Sequence, residues 1–186
     1  AAQYMLSLII PATRGTIVAA DGSPLAMNQP GYLVYAQRKE IKDVAEFISK
    51  IAPLTQIDEA SLAADLADTN RVWLPLLRKA DSSVADSLKK LSLPGLGFEK
   101  ESKRYYPEAS MAAHLLGFVG SDQNGNDLGY FGLEGYYDRE LRGKDGRLTT
   151  EKDVRGTPIL VGNATRIEPE NGRTLTLWLD RTIQQA

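Results

Sequence analysis

The hydrophobic pattern of this chain keeps changing its period, and no rhythm governs the changes. Arg173 to Asp180 sets Leu175, Leu177 and Leu179 against Thr174, Thr176 and Trp178, the alternation of a half-buried strand. Ile41, Val44, Ala45, Ile48 and Ile51 instead recur at helical spacing over about 41–51, with Pro53 just beyond. A parallel α/β fold needs strand and helix to alternate steadily. Here they do not, so the pattern predicts an α+β fold of mixed strands and short helices.

The remaining elements follow from local chemistry. Arg14 to Ala20 reads as a strand, Asp21-Gly22 as a turn into Leu25 to Asn28, and Tyr32 to Gln37 as a second β-prone run. Asp58 is placed to cap a short helix carrying Leu62 and Leu66, and Val72 to Leu77 is a strand that Pro75 makes an edge or an irregular one. Asp81 or Ser82 caps a helix with Val84, Leu88 and Leu91 at i, i+4 and i+7, which Pro94-Gly95 ends. Gly97 to Tyr106 is extended and charged. After Pro107 the spacing of Ala112, Leu115, Leu116 and Val119 predicts a compact helix, and Ser121 to Gly129 a polar loop. Leu133, Tyr137 and Leu141 predict one helix over 132–141 that Gly143 terminates. From Arg147 onward the pattern is β again.

Composition narrows the chemistry. With 22 basic and 24 acidic residues the formal charge is −2, so no positive field recruits nucleic acid. The absence of cysteine removes disulfides, thiolate metal sites and a cysteine nucleophile. The longest apolar run, Leu6 to Ala12, is interrupted by Ser7 and Pro11 and falls far short of the ~20 residues of a membrane span. The chain starts without an initiator Met or a signal segment, and a strand leading to Asp180 is followed by one helical turn, too little to stand alone. These ends are read as those of a piece of a longer protein.

Each candidate for chemistry has a structural reading beside it. Ser87 and Lys90 form a Ser-x-x-Lys in which the amine, three residues on along a helix, is placed to activate the hydroxyl. The companion Ser-x-Asn and Lys-Thr-Gly of such acyl transferases do not occur, which favours a solvated helix flank. Asp122-x-Asn124-x-Asn126 begins like a calcium loop, but its sixth position is Asp127 and its twelfth Leu133, so an Asn-Gly turn explains the same letters. His114 has no second His or Cys with which to share a metal. Lys100, Lys103 and Arg104 are interleaved with Glu99 and Glu101, which suits cross-strand ion pairs. From the residues alone no active site, metal or cofactor site assembles.

Four segments, in order, resemble the N-terminal pedestal, or dimerisation domain, of class B penicillin-binding proteins. The first is Arg14-Gly15-Thr16-Ile17 with Asp21-Gly22-Ser23-Pro24-Leu25-Ala26. The second joins Leu93-Pro94-Gly95, Arg104-Tyr105-Tyr106-Pro107 and Leu115-Leu116-Gly117-Phe118-Val119-Gly120. The third is Gly129-Tyr130-Phe131-Gly132-Leu133-Glu134, completed by Tyr137-Asp138 and Gly143. The last, Asn171-Gly172 to Gln184, is similar to the start of the family's transpeptidase domain. Two departures stand out: Ala19-Ala20 replaces the family's Asp-Arg, and Ala109 its Gly after Tyr-Pro.

The resemblance implies a fold, a role and partners. It implies an extended pedestal over 1–40 and 92–170, an inserted helical head over 41–91, and a truncated start of a transpeptidase domain over 171–186. Arg14 and Glu134 become candidates for an ion pair joining segments far apart in number, with Arg104 contributing, and Tyr106 and Pro107 for fixing a turn. Gly117, Gly120, Gly129 and Gly132 suit tight turns. The implied function is non-catalytic and extracytoplasmic, in a parent anchored by one helix before residue 1. The implied partners are the parent's own transpeptidase domain, a membrane glycosyltransferase of the shape, elongation, division and sporulation type, and a second copy of the chain. The rival readings are an acyl transferase or hydrolase in its own right, using Ser87 and Lys90, and a stand-alone self-associating domain.

Overall fold

The computed structural model describes residues 4–68, 71–107, 113–122, 125–152 and 165–179. In chain order these form β1 (Tyr4–Ile10), β2 (Ile17–Val18), β3 (Pro24–Gln37), a 3-10 turn (Arg38–Glu40), α1 (Val44–Thr55), α2 (Glu59–Ala67), β4 (Trp73–Ala80), α3 (Ser82–Lys90) and β5 (Leu96–Tyr105). Then come α4 (Ala113–Leu116), β6 (Phe118–Ser121), β7 (Asp127–Tyr130), α5 (Gly132–Tyr136), α6 (Asp138–Arg142), β8 (Gly146–Lys152), β9 (Thr165–Ile167) and β10 (Leu175–Thr176). The mixture is α+β, as the irregular periodicity predicts. Two compact units emerge: Ala1–Asn28 with Arg104–Ala186, and Gln29–Lys103. The segment 41–91 lies inside the second, which also takes in the flanking strand residues.

In the unit 29–103, three helices bury one face each against a β layer. Val34, Ala36 and Leu74 from the strands meet Phe47, Ile48, Ile51, Leu62, Leu66 and Leu88 from the helices. Caps set where the helices begin. Asp43 accepts from the Glu46 N–H at 3.0 Å, and Asp58 from that of Ser61 at 2.9 Å. Asp81 holds the N-cap position of α3, yet its carboxylate takes Lys103 at 2.6 Å instead. Pro53 lies inside α1 rather than after it. The helix runs on because the buried stripe continues through Ala52 and Thr55, and it stops where Gln56 turns left-handed at φ 58°. The 25–28 and 32–37 runs are one strand, since Pro30 and Gly31 both accept extended backbone. β4 pairs antiparallel with β3 from Gln37↔Trp73 to Tyr32↔Ala80 and lies at the end of its sheet, where Pro75 omits no obligatory bond.

The other unit is built on Ile17, Ala19, Leu25, Ala26, Leu116 and Leu141. β2 is far shorter than the strand expected over 14–20, and its neighbour β10 is parallel to it, Leu175 opposite Ile17. Backbone bonds extend that ladder: Leu175 N to Thr16 O, Leu177 N to Val18 O, and Ala20 N to Leu179 O. Leu175, Leu177 and Leu179 pack on the core, and Trp178 is 97% exposed, so the alternation holds. β1, β8 and β9 form a separate antiparallel sheet in that order.

Three expectations in this unit are corrected. Residues 132–141 form two short helices, α5 and α6, broken at Tyr137, whose φ and ψ of −100° and 20° are not helical. Val119 belongs to a strand, because Gly117 at φ 73° ends α4 and turns the chain. The stretch 121–129 closes a hairpin between β6 and β7 rather than forming a loop alone. Asp122 closes it, accepting from the Asn126 N–H at 2.8 Å. Ala109, Ala112, Asn124 and the residues from Asp180 on lie outside the described set. Among the described residues, no helix is long and apolar enough to cross a membrane.

Candidate functional site

Among the described residues the most buried charge is Glu134, at 0% exposure, on α5. Two guanidinium groups converge on it. Its Oε2 accepts from Arg14 Nε at 2.8 Å and lies 2.7 Å from Arg14 Nη2. Its Oε1 accepts from Arg104 Nε at 2.7 Å, and its backbone carbonyl takes Arg14 Nη2 at 3.0 Å. Arg14 Nη1 reaches on to Asp138 Oδ1 at 2.8 Å, which also accepts from the Gly129 N–H at 2.8 Å. Two arginines against two carboxylates balance in charge, the condition on which ions persist in a low-dielectric interior.

Neutral groups complete the cluster. Arg104 Nη1 donates to Asn28 Oδ1 at 3.0 Å, and Asn28 Nδ2 donates to the Arg14 carbonyl at 2.5 Å. The Tyr106 hydroxyl accepts from the Val119 N–H at 3.0 Å and faces Glu134 Oε1 at 3.4 Å. Burial first, and the Glu134 charge second, push the Tyr106 phenol up to about 12. The cluster therefore joins the segment after β1, the start of β3, the end of β5, the β6–β7 hairpin and α5–α6. Glycine permits the approach: a Cβ at Gly129 would collide with the Glu134 carbonyl, and one at Gly15 with that of Arg173.

Other motif residues take structural places in the same unit. Ile17 is wholly buried, Leu133 and Tyr137 pack on the same core, and Gly22 makes the turn between β2 and β3 at φ 83°. Gly132 places its backbone against the Leu115 carbonyl, Gly120 lies in β6 beside the Tyr130 ring, and Gly143 ends α6 at φ 73°. Pro107 is exposed after β5. Asn28 was missed by sequence reasoning; its one signal is that it closes the apolar run Leu25-Ala26-Met27, and Gln29 beside it carries the same amide.

Of the chemical candidates, Ser87 is bonded within its own helix and Lys90 is exposed on it. The Ser87 hydroxyl donates to the Ser83 carbonyl at 2.9 Å, one turn back on its own helix. The neighbouring Lys89 Nζ sits 4.0 Å over the Tyr32 ring. His114 is exposed on α4. Lys103 pairs with Asp81, and the Lys79 N–H donates to Glu101, so the charged stretch of β5 is spent on neighbouring strands and turns.

Comparison with known proteins gives this geometry its context. The chain is 32% identical over 178 residues to the probable peptidoglycan D,D-transpeptidase PenA of Neisseria meningitidis serogroup B, covering 94% of this chain and 30% of that protein. It is 30% identical over 181 residues to the peptidoglycan D,D-transpeptidase FtsI of Escherichia coli K12, again 94% against 30%. The chain thus spans about a third of the length of the curated relatives it matches. Its fold is similar to a solved complex between a penicillin-binding protein, PBP2, and MreC from Helicobacter pylori. There the TM-score is 0.78 at 21% identity, over 98% of this chain and 38% of that one. Residues 9–177 match the family model described as the penicillin-binding protein dimerisation domain. With nearly its whole length inside that match, the chain belongs to the penicillin-binding protein dimerisation domain family.

Proposed function

We propose that the chain is the non-catalytic pedestal of a peptidoglycan D,D-transpeptidase, working outside the cytoplasm of a membrane-anchored parent. The carrying observation is the Arg14–Glu134–Arg104 cluster: the most deeply buried charges among the described residues neutralise one another inside the fold. Residues 1–40 and 92–170 form the pedestal, 41–91 the head, and 171–186 lead into the catalytic domain. Names of relatives support this reading, since PenA and FtsI are called transpeptidases. Cross-linking of peptidoglycan by a serine nucleophile belongs to the part of the parent beyond this chain. The pedestal positions that part and receives protein partners of the cell-wall machinery. One is a membrane glycosyltransferase of the shape, elongation, division and sporulation type. That the similar PBP2 was solved in complex with MreC supports a protein partner for the parent.

The test is covalent labelling of the folded chain with a fluorescent β-lactam, read by denaturing gel and intact mass. The expected result is no adduct alongside a cooperative melt. A stoichiometric adduct on Ser87 would overturn the proposal in favour of an acyl transferase.

A further inference from the structure

The hairpin of β6 and β7 and the turn into α5 gather three aromatic rings. Phe118 is the middle one. Its ring centre lies 5.6 Å from that of Tyr130, with planes 22° apart, and 6.0 Å from that of Phe131, with planes 47° apart. Tyr130 stands opposite Phe118 in the ladder, so the two side chains share one side of the hairpin. Successive residues of a strand point opposite ways, and a Phe131 that continued β7 would turn away from Phe118. It turns back because its backbone leaves the strand at φ 56° and ψ 172°. That conformation is costly for any residue but glycine, and strain of this kind gathers at functional sites. Its product here is open aromatic surface, with Phe131 77% exposed and Phe118 50%. The Tyr130 ring rests against Gly120, and its hydroxyl donates to the Ser121 carbonyl at 3.4 Å, which fixes the group.

We infer that these rings bind a stretch of peptidoglycan glycan strand, an uncharged chain of β-linked pyranoses. The inference rests on the pedestal reading, which sets the chain beside peptidoglycan, and three observations favour a sugar. A pyranose presents polarised C–H bonds on one face, and these settle on the electron-rich face of an aromatic ring. Its hydroxyl and acetamido groups need donors and acceptors close by. β6 and β7 form a sheet of two strands, whose outer rows of N–H and C=O groups pair with no further strand among the described residues. Charge speaks against a lipid surface: residues 117–132 hold Asp122 and Asp127 and no Lys or Arg, whereas anionic headgroups call for cations beside the aromatics. Area speaks against a protein. Three partly covered rings offer far less than the ~800 Å² that each partner buries in a standard interface, and suit a narrow chain.

The probe is chitotetraose, a soluble β-linked chain of N-acetylglucosamine units, titrated into the isotope-labelled chain and followed by backbone amide shifts. The expected result is a Kd on the order of 1 mM, with the shifts concentrated in 117–121 and 128–132. Phe131→Gly keeps the turn, because glycine accepts its φ and ψ, and loses only the ring; binding weakens about fivefold or more. Phe118→Ala weakens it to a similar degree. Trp73→Ala, which removes a 43% exposed ring from the other unit, leaves the Kd within about twofold. Hydrogen exchange across β6 and β7 checks each variant; where Phe118→Ala loses the hairpin, Phe131→Gly carries the test. No shift up to about 20 mM sugar overturns the inference, and so does an unchanged Kd in Phe131→Gly. Shifts of the same amides with phosphatidylglycerol vesicles but not with the sugar overturn it in favour of a lipid surface. Shifts with protein concentration alone overturn it in favour of a second copy. Labelling with the β-lactam tests the pedestal reading separately, so absent sugar shifts without an adduct strike the sugar site alone.

Discussion

Replacing Glu134 with glutamine keeps the shape of the side chain and removes the charge on which Arg14 and Arg104 converge. Oε2 serves Arg14 and Oε1 serves Arg104, each at 2.7 Å. The amide that replaces them offers one oxygen and one NH2, so whichever way it turns, a donor faces a guanidinium donor. Both arginine side chains are under a tenth exposed, and solvent cannot take over. Removing one member of a buried ion pair costs about 3–5 kcal/mol. Arg14 keeps Asp138 and Arg104 keeps Asn28, which holds the loss towards the lower end. At roughly 2–4 °C per kcal/mol for a chain of this size, the melting temperature falls by about 6–12 °C for a 3 kcal/mol loss. Calorimetry with hydrogen exchange is the assay, and the lost protection concentrates in 1–28 and 104–186 rather than 29–103. Joint replacement of all four ions by neutral residues (Arg14→Met, Arg104→Met, Glu134→Leu and Asp138→Asn) restores much of the stability, because no buried charge is left without a partner. A Glu134→Gln variant within about 1 kcal/mol of the parent would refute the reasoning.

Three further outcomes follow from the same geometry. Tyr106 is neutral in the folded chain up to about pH 12, whereas the unfolded phenol ionises near its ordinary value of 10.0. Its contribution to stability is therefore full below pH 10 and is lost as the pH rises towards 12; denaturant midpoints show that loss in the parent and not in Tyr106→Phe. Gly129→Ala drives a methyl into the Glu134 carbonyl and destabilises by about 3 kcal/mol or more, while Gly22→Ala, with open space around it at φ 83°, costs about 1 kcal/mol. Equal losses in urea titrations would contradict that contrast. Phe131 holds φ 56° and ψ 172°, a region nearly reserved for glycine, with its ring 77% exposed. Phe131→Gly is accordingly more stable than Phe131→Ala by about 1–2 kcal/mol in thermal melts.

The helix that begins at Asp58 was legible because capping is local: an Asp three residues before the N–H it accepts from is visible in one dimension. The helix capped by Asp43 was expected from Ile41, because apolar spacing marks a face and not a starting residue. The alternation of Leu175, Leu177 and Leu179 was legible for the same reason, since side-chain period belongs to the strand itself. Its partner was not. β10 pairs parallel with β2, across more than 150 residues, and nothing in either stretch names the other. The split of 132–141 into two helices was hidden because Leu133, Tyr137 and Leu141 satisfy helical spacing whether or not the backbone breaks at Tyr137. Arg14 and Glu134 were proposed as a pair from resemblance. Asn28, Asp138 and the Gly129 N–H joined them only once five distant segments met.

The sequence by itself determined the α+β class, the helix starts at Asp58 and Asp81, the turns at Gly22 and Gly143, and the absence of any cysteine chemistry. Each is a matter of residues within a few positions of one another, where backbone preference and hydrogen bonding are settled locally. Tertiary structure alone decided that Glu134 is wholly buried between two arginines and that Tyr106 resists ionisation. These depend on which surfaces lose water when remote segments meet, and desolvation is a property of the assembled interior that no single stretch of chain carries.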